Sequence, residues 1–131
     1  MSHYHAVVWL DHQKGTVWQF TPTAQENTVV HAHGQHRVHS RKSTHAGSVA
    51  DHRFFDEVAH ALEGAHEILI IGPALTKQEF ATYLRQKHPT LGRAVVAVEA
   101  ADHPSDAQVL AYARRHFAAL DRIFNPDTTS R

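Results

Sequence analysis

The chain has 131 residues, enough for one domain with a real core, and no cysteine, which excludes disulfides and thiolate metal sites. The 13 Lys and Arg balance the 13 Asp and Glu, so the overall positive field of a general nucleic-acid binder is absent, yet 14 histidines make the chain cationic in mild acid. No apolar run approaches the length of a membrane span and Ala6 to Leu10 is too short for a signal core, so a soluble cytoplasmic protein without membrane contact is expected.

Tyr4 to Leu10 (YHAVVWL) is apolar and rich in β-formers, and predicts a first strand. Asp11 to Gly15 is a turn, followed by a second strand over Thr16 to Thr21 with Thr16, Trp18 and Phe20 on one face. Pro22 to Asn27 is a second turn. Thr28 to His33 then forms a third strand, placing Val29, His31 and His33 on one face and Val30 and Ala32 on the other. Trp9 and Trp18 are expected in the core or as a cross-strand pair rather than as a base-stacking platform.

The stretch from His31 to His52 holds His31, His33, His36, His39, His45 and His52 with Arg37, Arg41 and Lys42, and almost nothing apolar. It predicts a polar loop over residues 34–50, a length that is functional or disordered in a compact domain. Phe54, Phe55, Val58, Ala59 and Leu62 then give a helical stripe, with Ser48 or Asp51 as N-cap and Gly64 as stop. Ile68 to Ile71 reads as a fully buried strand ending at Gly72-Pro73. Thr76 and Glu79 match a capping box opening a helix with Phe80 and Leu84 inward, which ends near His88-Pro89. Ala94 to Val98 reads as another fully buried strand. Ser105 and Gln108 make a second capping box, before a helix carrying Val109, Ala113, Phe117, Leu120 and Phe124. Arg114, Arg115 and Arg122 lie off that stripe, and residues 125–131 are expected to be a flexible tail.

The order β-β-β-α-β-α-β-α predicts a three-layer α/β/α domain over residues 1–124 with a five-stranded mixed sheet. Right-handed crossovers give the strand order 3-2-1-4-5, with strand 2 antiparallel to the rest, a ribonuclease H-like layout. Strands 1, 3, 4 and 5 then end at one rim, where Asp11, His12, His33, Gly72-Pro73 and Glu99 to His103 gather and from which the long loop leaves. Open α/β sheets bind ligands at this edge.

The segments Tyr4 to His12 (YHAVVWLDH), Phe54 to Leu62 (FFDEVAHAL), Glu67 to Pro73 (EILIIGP) and Asp102 to Phe117 (DHPSDAQVLAYARRHF) resemble small bacterial translational machinery proteins. They also resemble the central domain of the archaeal and eukaryotic class-I peptide release factor and of Pelota. The resemblance spans residues 3 to 124 and rests on core patterns. In the release factors, the loop after strand 3 carries Gly-Gly-Gln, which enters the peptidyl-transferase centre and helps water attack the peptidyl-tRNA ester. The matching loop here reads His33-Gly34-Gln35-His36, with one glycine before the glutamine. Peptide release is therefore not carried over. Pelota also lacks the tripeptide and acts without hydrolysing the ester. The resemblance implies a non-catalytic, ribosome- or RNA-associated role, with the ribosome, tRNA or a translation-related protein as partner.

Three sets of site residues follow. Gln35, His36, Arg37, His39, Arg41 and Lys42 are candidates for RNA or partner contact, with cations for phosphates and imidazoles that donate or stack. His31 and His33, joined by His36 or His12, are candidate ligands for zinc or nickel, although no cofactor is required. A metal-dependent nuclease would draw on Asp11 with Asp51, Glu57, Glu99 and Asp102, but the fourth strand ends in Gly72-Pro73 where such enzymes need a carboxylate. The repeated Asp-His pairs at 11-12, 51-52 and 102-103 could orient a histidine base, though Asp51 and Asp102 are more simply read as helix caps.

Overall fold

A computed structural model of the chain describes residues 4–21, 25–32 and 44–117, with the side chains of 44–51 outside the description. The elements run β1 (Tyr4–Leu10), β2 (Lys14–Phe20), β3 (Gln25–His31), α1 (Thr44–Ala61), β4 (Ala65–Gly72), α2 (Thr76–Lys87), α3 (Pro89–Ala94), β5 (Val95–Ala100) and α4 (Asp106–His116). The five strands form one sheet in the order β3-β2-β1-β4-β5. β2 is antiparallel to β1 and β3, and β4 is parallel to β1 and β5. The α/β fold and strand order expected from the sequence are both present.

β1 is buried along its whole length because it lies at the centre of the sheet and is covered on both faces. Its even residues, Ala6, Val8 and Leu10, pack with Phe54 and Val58 of α1, with Leu62 just after it, and with Phe80 and Leu84 of α2. Its odd residues, Val7 and Trp9, join Trp18, Phe20, Leu69 and Ile71 beneath Val109, Ala113 and Phe117 of the α4 region. The two-residue period of the strand thus divides the core into two halves. Gly72 allows a close approach of β4 to β1. A Cβ there would stand 2.3 Å from the Leu10 carbonyl oxygen.

Several local expectations are corrected. α1 begins at Thr44, ahead of Ser48 and Asp51, so neither caps it and the polar connection after β3 is shorter than residues 34–50. Thr76 and Glu79 form no capping box. Leu75 occupies the N-cap without a side-chain bond, and the amides of Gln78 and Glu79 reach its carbonyl instead. α3 departs from the expectation that Pro89 only ends α2. Proline also suits the first position of a helix, where its missing N–H is not needed.

β5 is only partly buried, because it forms the sheet edge and Val96 is exposed. Asp102 is no cap. Ser105 caps α4 with both bonds of the capping box to Gln108, as expected. Gly64 stands after α1 with φ 90°, in agreement with its role as a stop. Leu120, Arg122, Phe124 and the tail 125–131 lie outside the described residues.

Candidate functional site

The parallel directions of β1, β3, β4 and β5 bring their C-terminal ends to one rim of the sheet. Asp11 to Gln13, His31, Pro73 and Asp102 stand there. The Asp11 carboxylate is used in closing the β1–β2 turn: its Oδ1 accepts from the amides of Gln13 at 2.8 Å and Lys14 at 2.9 Å. The Asp11 amide donates to the Lys14 carbonyl at 3.0 Å, and the Ala32 amide to the Gln13 carbonyl at 2.8 Å, which seats the end of β3 beside the same turn. The chain between β3 and α1 therefore starts from this rim. α1 runs back across the sheet, and its far end is fixed by the Tyr4 hydroxyl, which donates to the Glu63 carbonyl at 2.7 Å.

His33, Gln35, His36, Arg37, His39, Arg41 and Lys42 lie outside the described residues. His12 and His31 are both exposed at the rim. His31 is the cross-strand partner of Lys14. Among the described residues, no group of three His, Asp or Glu side chains is placed to hold a metal ion. The carboxylates considered for a nuclease are not gathered either. Glu57 is exposed on α1, Glu99 stands 2.8 Å from His116, Asp102 stands 3.3 Å from His103, and the Asp51 side chain is outside the description.

Two clusters escaped the sequence reading. On the helical layer, Asp56 of α1 accepts from the Tyr83 hydroxyl of α2, and His88 Nε2 lies 3.0 Å from the same oxygen. The bond from Tyr83 is the main reason the Asp56 carboxyl is held below its usual range, with His88 adding to it. Burial, then that bond, pushes the Tyr83 hydroxyl up to about 12. These residues are 27 and 32 positions apart, so no local pattern could announce them.

The second cluster is on the opposite face at the rim. Trp9 Nε1 donates to the Asp102 carbonyl at 2.6 Å and Trp18 Nε1 to Asp106 Oδ1 at 3.2 Å. The alternation of β2 announced that Thr16 and Trp18 share a face, but not which residues after β5 would meet them.

His5 occupies the other end of β1. It is 9% exposed, with its ring 5.1 Å from that of Phe117 and Nε2 3.8 Å from Glu67. Burial lowers its pKa, partly opposed by Glu67.

No protein-family profile matches the chain, and no curated protein matches it by sequence. Solved structures do share its fold. It superposes on Pelota from Thermoplasma acidophilum with a TM-score of 0.61 and 20% identity, covering 93% of this chain and 36% of that one. Pelota from Archaeoglobus fulgidus gives a TM-score of 0.62 at 14% identity, over 97% of this chain and 35% of the other. The archaeal translation termination factor aRF1 gives 0.62 at 13% identity, over 97% and 38%. The chain spans little more than a third of the length of these structures, and it resembles them at the level of the fold.

Proposed function

We propose that the chain is a non-catalytic, translation-associated protein that contacts ribosomal RNA or tRNA from the rim where β1, β3, β4 and β5 end. The observation that carries this reading is the match of nearly the whole chain to Pelota and to an archaeal translation termination factor. The sequence adds the means of contact. Arg37, Arg41 and Lys42, with His36, His39 and Gln35, lie between the end of β3 at this rim and the start of α1. Cations meet phosphates, and imidazoles and amides serve as donors or stacking partners. A non-catalytic role fits the single glycine before Gln35 and the engagement of Asp11 in its own turn.

Co-sedimentation with purified ribosomes tests the reading. The chain is expected to pellet with them at low salt and to be released as salt rises, because displaced counterions drive such binding. Failure to pellet at any salt concentration contradicts it.

A further inference from the structure

On the α4 face, at the same rim, a hollow of about 170 Å³ is lined by Trp9, Lys14, Thr16, Trp18, His103 and Pro104. Strand register makes it. Lys14, Thr16 and Trp18 alternate along β2, and Trp9 of β1 is the partner of Thr16. The loop after β5 supplies one wall, where the His103 ring lies 5.1 Å from that of Trp9 and is tilted by 40°.

The chemistry of the walls is uneven. Trp9 and Trp18 are 3% and 6% exposed, and both indole N–H groups are bonded to protein. They form a hydrocarbon floor that asks for no polar partner. The Lys14 ammonium and the His103 ring are exposed around it, beside the partly exposed Thr16. Asp102 Oδ1 lies 3.3 Å from His103 Nδ1, at the edge of a ring that is largely exposed to solvent.

Pockets for drug-sized ligands measure roughly 300–1,000 Å³, so this one has room for a single ring system. An apolar floor, a stackable imidazole and a lysine at the lip together suit a flat heterocycle that carries an anion. Unpaired bases of single-stranded RNA present that combination, whereas a duplex hides its base faces.

We propose that this hollow is a subsite for one unstacked base of single-stranded RNA, with His103 stacking on the base and Lys14 meeting the adjoining phosphate. The proposal rests on the RNA-contact reading above and gives it a specific place. Lys14 is the cross-strand partner of His31, so the hollow adjoins the point where the chain leaves β3 toward Arg37 and Lys42.

Both tryptophans of the chain line the hollow, so intrinsic fluorescence reports its occupancy directly. The full chain is titrated with a short single-stranded RNA of mixed sequence and with the same RNA annealed to its complement. Saturable quenching by the single strand is expected, at least about tenfold weaker with the duplex. His103→Ala and Lys14→Gln, both at exposed positions, should each weaken it by about tenfold while leaving the far-ultraviolet dichroism unchanged. Absence of quenching, equal quenching by the duplex, or quenching unaltered in both folded variants overturns the subsite. Ribosome co-sedimentation by the unmodified chain separates the two ideas. If the chain pellets without showing quenching, the subsite falls and the broader reading stands; if it never pellets, the broader reading falls by itself.

Discussion

The Trp9 indole donates to the carbonyl of Asp102 across 93 residues of sequence, and this bond fixes the loop after β5 against the end of β1. Trp9→Phe keeps most of the ring and removes the donor. It leaves the part-buried Asp102 carbonyl without this donor, so a loss of about 0.5–1.5 kcal/mol is expected in urea unfolding. An unchanged unfolding midpoint would show that the loop is held elsewhere.

Gly72 and Leu10 are in closer contact than any side chain permits. A Cβ at 72 would meet the Leu10 carbonyl oxygen at 2.3 Å, and backbone in the middle of a sheet has no room to move away. Gly72→Ala should destabilise the fold by about 1–3 kcal/mol or more. At Gly15 the nearest atom is the Val58 Cγ2 at 3.2 Å, which belongs to a side chain that can yield. Gly15→Ala should cost less, and paired thermal melts compare the two.

Two groups predict opposite pH responses. The folded pKa of His5 lies below its ordinary 6.5, because burial penalises the charged ring. The folded state then binds fewer protons than the unfolded one, so the melting temperature should fall as pH drops below about 6.5. Tyr83 is raised from 10.0 to about 12, so the folded state holds its proton longer. Stability present below pH 10 is therefore lost as pH rises from 10 toward 12. His5→Leu should flatten the acid limb and Tyr83→Phe the alkaline limb, both read from melting temperature against pH.

The cap of α4 gives a smaller effect. Ser105→Ala removes the acceptor for the Gln108 amide, and about 1 kcal/mol should be lost. Amide exchange in the first turn of α4 should speed up, because the Gln108 amide loses its acceptor and the turn frays.

Most of the sheet is legible from sequence because β1, β2 and β4 carry their own signals, whereas the largely exposed β3 begins at Gln25, inside the stretch expected to turn, and ends at His31. YHAVVWL is too continuously apolar for anything but a central position, and Thr16, Trp18 and Phe20 alternate cleanly. What failed was local chemistry with two outcomes. Thr76 and Glu79 have the spacing of a capping box, yet the backbone turns one residue earlier at Leu75. Pro89 ends one helix and starts the next. The AVVAV run promises burial on both faces, but it is the last strand of the sheet among the described residues, and Val96 is 45% exposed. The site was legible only in part. The imidazoles and cations after β3 are plain in the sequence, whereas the Trp9–His103 wall and the Asp56–Tyr83–His88 cluster join elements far apart in the chain.

The most direct test of the central claim is the salt dependence of ribosome or RNA affinity with Arg37, Arg41 and Lys42 replaced together by glutamine. Each phosphate contact contributes about 0.7–0.9 to the slope of log K against log salt. If these three cations meet RNA, the triple variant should bind more weakly and with a slope shallower by about 2–3. An unchanged affinity and slope would contradict RNA contact through these three residues.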